Sequence, residues 1–395
     1  MISMLDLFAG CGGLTDGFLQ TKKYKTLAAV DWEIPAVETL RNRLLKNWNY
    51  SNSEEIVVHY DLQKTTELVN GFNDEVYGES KGLDKIIGKN KVDVIVGGPP
   101  CQAYSIAGRV KDSKGMKDDY RNFLFESYVK LVDNYRPKCF IFENVEGILT
   151  ASPGNISITK RIREAFENIG YEIAEDLRED ALIDMSYYGI PQKRKRVIIF
   201  GVPSSKTSSK KISKFYTLLN SKKNNLPTQL GTLIDDLPKF EPKINGKPLA
   251  SYKATEENNF TNHEPRSHSV RDIEIFKILT LDKKNGTNLY SSTDSLIKLY
   301  FEKTGKTSNF HKYYVLQKDK PSNTIPAHLH KDGLRHIHPD PLQRRSLTVR
   351  EAARIQTFDD EFEFLGSRSD QYKMIGNAVP PKFSKLIAEV ILELI

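Results

Sequence analysis

An α/β fold built on a parallel sheet follows from three features of residues 1–200. Short β-branched or aromatic runs recur at 2–8, 26–31, 56–62, 92–96, 139–142 and 197–200. Amphipathic stretches lie between several of them, at 34–45, 124–135 and 158–169. The earlier runs hold few polar residues, as strands buried from both sides do. In 158–169, Ile158, Ile162, Ala165, Phe166 and Ile169 recur at helical spacing with charges between them, which predicts a helix. Strands alternating with helices of this length predict a sheet covered on both faces. After Gly201-Val202-Pro203 the alternation fades, and prolines at 227, 238, 242, 248 and 265 interrupt weak, mixed signals. This segment reads as a second, smaller domain or a large insertion. Order returns at 347–356, where Thr348 is placed to cap a helix. A last helix follows Pro380-Pro381, with Phe383, Leu386, Ile387, Val390 and Ile391 as its apolar stripe.

The chain has 395 residues, a length that suggests two or three domains. Its 28% charged and 10% aromatic residues exclude disordered and collagen-like classes. No apolar stretch approaches the ~20 residues that a membrane helix needs. Asp6 and four glycines interrupt the first twenty residues, where a signal peptide would need an unbroken apolar region. Three cysteines, Cys11, Cys101 and Cys139, are too few and too scattered for a disulfide framework or a zinc site. A cytoplasmic, reduced, globular protein without a metal is expected. Of the net charge of +7, residues 201–320 hold 21 Lys and Arg against 12 Asp and Glu, so the remainder carries −2. A localised positive face suits a polyanion such as nucleic acid, and equally a solvated surface.

In an open parallel sheet, ligands bind beyond the carboxyl ends of the strands. Five successive expected ends carry glycine turns, acids or a cysteine: Asp6-Leu7-Phe8-Ala9-Gly10-Cys11-Gly12-Gly13, Asp31-Trp32, Asp61-Leu62, Gly97-Gly98-Pro99-Pro100-Cys101-Gln102 and Glu143-Asn144-Val145. Asp31 follows Gly12 by 19 residues, about where an acid reaches ribose hydroxyls. The turn fits NAD, FAD, S-adenosylmethionine or no cofactor. Asp61 suits either an adenine amino group or a helix cap. Cys101 follows two prolines and leads a polar loop, so it reads as a nucleophile or as buried filler. Cys11 and Cys139 read as filler. Glu143 suits proton transfer or capping. If 192–196 is a strand, Gln192, Arg194 and Arg196 share one face and both lysines the other. Otherwise it is a solvated basic turn.

Together these residues resemble the cytosine-C5 DNA methyltransferase family, particularly the single-chain enzymes of bacterial restriction–modification systems. The family's motifs appear in order: 6–13 with Gly17-Phe18, Pro99-Pro100-Cys101-Gln102 with Ser105, Asp119-Tyr120-Arg121-Asn122 with Leu124-Phe125, Glu143-Asn144-Val145, 192–196, 347–355, and Gly376-Asn377-Ala378-Val379-Pro380. The unmatched stretch, about 204–320, coincides with the basic segment, where the family carries its variable target-recognition domain.

The resemblance implies a Rossmann-like, mostly parallel sheet of the S-adenosylmethionine-dependent methyltransferase fold, with a smaller, irregular mixed recognition domain. Residues 1–203 plus 365–395 would form the catalytic domain and 204–364 the recognition domain. The cofactor would be S-adenosyl-L-methionine and the substrate a cytosine flipped out of duplex DNA. Phe8, Gly10, Gly12, Asp31, Trp32, Asp61, Leu62, Pro100, Leu124 and Asn377 would line the cofactor. Cys101 would be the nucleophile, and Glu143, Arg194 and Arg196 would hold the base. The stretch from 102 to about 118 would close over it. A monomer paired functionally with a cognate restriction endonuclease is implied. A catalytically silent DNA-binding relative and a transfer-RNA cytosine-C5 methyltransferase are the competing readings. Asn262, His263, Arg266, His268 and Arg271 form a polar cluster in the basic region and are candidate DNA contacts.

Overall fold

The computed structural model describes residues 1–99, 124–152, 156–307, 312–331 and 333–395. The chain divides into two compact units. The first holds residues 1–188, 194–225 and 378–395, and the second 189–193 and 226–377.

The strands of the first unit are β1 (Ile2–Leu7), β2 (Tyr24–Asp31), β3 (Val57–His59), the hairpin β4 (Phe72–Asp74) and β5 (Gly78–Ser80), β6 (Val94–Gly97), β7 (Cys139–Val145), β8 (Tyr171–Ile173), β9 (Leu182–Asp184) and β10 (Lys195–Pro203). Among the described residues the main sheet runs β3-β2-β1-β6-β7-β10-β8, with β9 also pairing β10. From β3 through β7 every pairing is parallel. The sheet is not parallel throughout, because β10 runs antiparallel to β7, β8 and β9. The helix Ile158–Asn168 leads from β7 to β8, and β10 then enters between those two strands in the opposite direction. β7 also extends three residues past the apolar run 139–142, because the ladder to β10 continues to Val145 opposite Arg196.

Apolar periodicity decides how the helices pack. Val37, Leu40 and Leu44 of the helix Ile34–Trp48 lie against Ala29, Ile56 and Val57. Tyr128 of the helix Leu124–Tyr135 sits edge-on to Phe142 at 5.2 Å, and its hydroxyl donates to the carbonyls of Ile95 and Ile141 at 3.2 and 2.9 Å. The helix Pro381–Leu392 returns to the first unit and packs on the helix Gly13–Leu19. The helix Ser208–Ser221 also belongs to this unit, with Phe215 stacked on Phe200 at 4.2 Å and the Tyr216 hydroxyl donating to the Ile198 carbonyl at 3.0 Å. The basic segment is therefore divided between the units.

The second unit contains an antiparallel sheet of β11 (Phe240–Lys243), β12 (Leu249–Ala254) and β13 (His268–Ser269). Ile275, Phe276, Leu279, Leu299, Tyr313, Val315 and Ile337 form an apolar cluster within it. The helix Val349–Ile355 starts where expected. Thr348 accepts the Glu351 amide through its side chain, and the Glu351 carboxylate accepts the Thr348 amide, a reciprocal cap.

Candidate active site

β2 and β3 build outward on one side of β1, and the chain then returns to β6 on the other side. Such a switch point opens a crevice beyond the carboxyl ends of the strands. The turn after β1 enters it with Phe8, Gly10 and Gly12 at φ of 58°, 55° and 91°. A side chain at Gly12 would need that left-handed backbone and would drive its Cβ into Leu40 Cδ1. Phe8 adopts a region that costs a non-glycine residue about 1 kcal/mol, and such strain concentrates at binding sites.

Asp31, at the end of β2, is buried. Its Oδ2 accepts the Gly10 amide at 2.8 Å and its Oδ1 the Glu33 amide at 2.9 Å. Burial raises its carboxyl above the ordinary value against the pull of those amides. Trp32 is 39% exposed, and its carbonyl accepts His59 Nε2 at 2.9 Å. Asp61 accepts the Gln63 amide at 2.9 Å ahead of a short helix, while Leu62 is buried. Leu124 is buried at the start of its helix. Asn377 is exposed and ends the second unit; the chain re-enters the first at Ala378. The structure thus brings Phe8, Gly10, Gly12, Asp31, Trp32, Asp61 and Leu62 to one end of β1–β3.

Beside them, β7 and β10 assemble a charged pair. Their register sets Val145 opposite Arg196 and Glu143 opposite Ile198, so Glu143 and Arg196 are diagonal neighbours on one face. Arg196 Nε meets Glu143 Oε1 at 2.9 Å, with the side chains 14% and 11% exposed. Arg194 is fully buried and donates from Nη2 to the Ala378 carbonyl at 2.8 Å. Burial and then neighbouring Arg196 disfavour its charge, which the Glu143 carboxylate offsets. Across 192–196, Gln192 and Arg194 are buried while Lys193 and Lys195 are exposed, although regular strand begins only at Lys195. Gln192 is held in the second unit, accepting the Ile325 amide at 3.1 Å and donating to Gln356 Oε1 at 2.6 Å.

The turn after β6 is fixed against this pair. A Cβ on Gly98 would lie 2.7 Å from Glu143 Oε2, and Asn144 Nδ2 donates to the Pro99 carbonyl at 3.3 Å. Pro100, Cys101, Ser105, the stretch 102–118 and residues 119–122 lie outside the described residues. Cys11 and Cys139 are buried filler; burial raises both thiols, that of Cys139 to about 12.

Asp6 is a participant that sequence reasoning did not single out. It is fully buried in β1 and its Oδ2 accepts Thr15 Oγ1 at 2.6 Å. Burial raises its carboxyl to about 7, opposed by Thr15 and reinforced by Asp31. In the sequence it stood only as the first residue of the motif 6–13 and as an acid inside an apolar run, with nothing that pointed to Thr15. The Ala378 carbonyl that receives Arg194 carries no side-chain signature at all.

The five polar residues of the second unit are mostly committed internally. His263 pairs with Thr348 Oγ1 and the Pro238 carbonyl, each at 2.9 Å. His268 Nε2 accepts the Ser346 amide at 3.2 Å. Asn262 brackets the backbone of Phe364 with two bonds of 3.0 Å. Arg266 donates to the His330 carbonyl at 2.5 Å. Arg271 is exposed and pairs with Asp272 at 2.9 Å. These bonds tie Asn262, His263 and His268 into the fold, while the His330 bond uses one of the five donors of half-buried Arg266. Among the described residues no group of three or more His, Cys, Asp or Glu side chains is placed to hold a metal ion, and no helix is long and apolar enough to cross a membrane.

Known proteins match this chain along its length. The family described as C-5 cytosine-specific DNA methylase matches residues 2–393. The Type II methyltransferase M.Bpa9945I of Bacillus paralicheniformis is 34% identical over 451 residues, covering 99% of each chain. M1.HphI of Haemophilus parahaemolyticus, also a Type II methyltransferase, is 30% identical over 393 residues, covering 100% of this chain and 87% of its own. The crystal structure of Schizosaccharomyces pombe Dnmt2 methyltransferase superposes with a TM-score of 0.56 at 15% identity, covering 100% of this chain and 99% of that one. That last likeness speaks for the fold alone. With its sheet, its glycine turn and its Glu-Asn-Val and Gln-Lys-Arg-Lys-Arg segments in place, the chain belongs to the C-5 cytosine-specific DNA methylase family.

Proposed function

We propose that this DNA methyltransferase moves the methyl group of S-adenosylmethionine to C5 of a cytosine flipped out of a specific duplex sequence, with Cys101 bonded transiently to C6. By analogy with its Type II relatives, the product would shield DNA from a cognate restriction endonuclease. The observation that carries the reading is the largely buried Glu143–Arg196 pair, with Glu143 set against the turn after β6 that precedes Cys101 in the chain.

The crevice residues fit the cofactor. Asp31 gives each oxygen one backbone amide and keeps lone pairs for ribose hydroxyls. The exposed Trp32 offers an aromatic face, and the turn at Gly10 and Gly12 admits close backbone approach. Bound there, S-adenosylmethionine supplies an electrophilic methyl group. C5 of cytosine is a poor nucleophile until conjugation is broken. The Cys101 thiolate would add at C6, leaving C5 enamine-like and able to take the methyl group. Glu143 would accept a hydrogen bond from the exocyclic amine and, in its protonated form, donate one to N3, drawing charge from the ring as sulfur adds. Arg196, with Arg194 beside it, would bind O2 and orient the base. Loss of the C5 proton then returns the electrons that expel Cys101. Cys101→Ser should abolish methyl transfer and leave DNA binding largely intact. A duplex carrying 5-fluorocytosine should trap wild type irreversibly, because fluorine blocks the elimination. Turnover on the ordinary duplex without that adduct refutes the covalent route.

A further inference from the structure

Among the described residues, the chemistry proposed above leaves two buried acids of the first unit unused: Asp16, which is paired with Arg43 at 2.7 Å, and Asp6. Asp6 lies in mid-sheet, in register with Ala29 of β2 and Val96 of β6. A carboxyl in such a place is costly unless paired. Its Oδ2 accepts Thr15 Oγ1 at 2.6 Å, while its Oδ1 has no hydrogen-bond partner among the described residues. A fold selected for stability alone would have an apolar side chain here; half-satisfied buried polar groups persist where function holds them.

The position of Thr15 supplies the function. Thr15 follows Gly12 by three residues, and Gly12 has no side chain with which to fasten the start of the helix Gly13–Leu19. The intervening turn is rich in left-handed backbone, which is stiff only if something outside it holds it. At its beginning, Asp31 of β2 holds the Gly10 amide. At its end, Asp6 of β1 holds Thr15. Two carboxyls from adjacent strands bracket the turn.

We propose that Asp6 is a positioning residue for the cofactor: through Thr15 it fixes the turn 8–13 in the shape that receives the nucleoside. This rests on the reading of that turn as the S-adenosylmethionine site. Calorimetric titration of the full-length wild-type protein with S-adenosylmethionine tests that reading by itself, since an absence of binding defeats it whatever the variants do. Given wild-type binding, Thr15→Val and Asp6→Asn should each weaken S-adenosylmethionine and S-adenosylhomocysteine alike by about tenfold, the loss expected when one buried hydrogen bond is broken or weakened. Thr15→Ser, which keeps the hydroxyl, should bind within about twofold of wild type. Affinity for duplex DNA, measured by fluorescence anisotropy without cofactor, should not change. Should Asp6→Asn fail to fold, the Thr15→Val and Thr15→Ser pair decides the matter. Thr15→Val binding the cofactor as wild type does would overturn the proposal. So would an equal loss of cofactor and DNA affinity, which would mark a structural role only.

Discussion

Glu143 and Arg196 form a largely buried ion pair, and this makes them the sharpest residue-scale test. Glu143→Gln preserves shape and removes the carboxylate. If Glu143 draws charge from the ring during thiolate addition, single-turnover methyl transfer should slow by about 10²–10⁴-fold, while DNA affinity stays near wild type. A decrease of less than about threefold would remove Glu143 from the chemistry. Arg196→Ala should also destabilise the fold, by about 2 kcal/mol in urea denaturation, because it leaves a largely buried carboxylate without its ion pair. At this scale the sequence was legible where several residues form a pattern. Glu143, Arg194 and Arg196 could be singled out because each sits in a short motif at a strand end. The Asp6–Thr15 tie could not, since its two members look like an interruption of a strand and an ordinary helical residue. Nor could the commitment of His263 and His268, whose partners lie 85 and 78 residues away.

Elements were legible in proportion to how local their causes are. Thr348 with Glu351 three residues on announces a helix start, and the structure forms that reciprocal cap. Thr348→Ala should lower the unfolding free energy of the second unit by about 1 kcal/mol, and Thr348→Ser should restore most of it. A Thr348→Ala variant as stable as wild type would show that packing alone holds this helix. The helices Ser208–Ser221, Val270–Lys284 and Thr293–Thr304 were not readable with the same ease, because charged and apolar residues mix along them. Around the capped helix, buried groups also set a pH dependence. Burial opposes ionisation of Glu351, but the Arg345 guanidinium at 2.6 Å, with His338 and His263, holds its carboxyl well below the usual range. Burial lowers His338 to about 4 and His268 to about 3. All three folded values are depressed, so each group contributes stability above its unfolded value and loses it as pH falls. The histidines act first, below about 6.5, and Glu351 follows below about 4.3. Stability followed by circular dichroism in urea should therefore fall between pH 6.5 and 5 by about 1 kcal/mol per pH unit for each histidine. A flat profile over that window would mean that these imidazoles are not buried as neutral groups.

For the molecule as a whole, the parallel half of the sheet was readable from alternation, whereas the course of the chain between its two units was not. Contacts far apart in sequence decide that course. Residues 189–193 leave the first half of the chain to join the second unit, and residues 378–395 leave the end of it to join the first. The basic segment shows the consequence. Its first six lysines, Lys206, Lys210, Lys211, Lys214, Lys222 and Lys223, lie in the part of the chain that belongs to the first unit. There the helix Ser208–Ser221 is fastened by the Phe200–Phe215 stack and by the Tyr216 hydroxyl on β10, the strand that also carries Arg196. If target choice resides in the variable stretch of the second unit, a graft of residues 226–320 from a relative of different specificity should redirect methylation to that relative's site, read by bisulfite sequencing of a host genome. A graft that begins at 204 should carry the same specificity but lower activity and stability, because it replaces the helix packed behind β10 with one fitted to another sheet. Two outcomes would defeat this division of labour: an unchanged methylation site in the 226–320 chimera, or a new site that appears only when 204–225 is exchanged as well. The second would assign sequence choice to the lysine-bearing helix, and so to the unit that holds the Glu143–Arg196 pair.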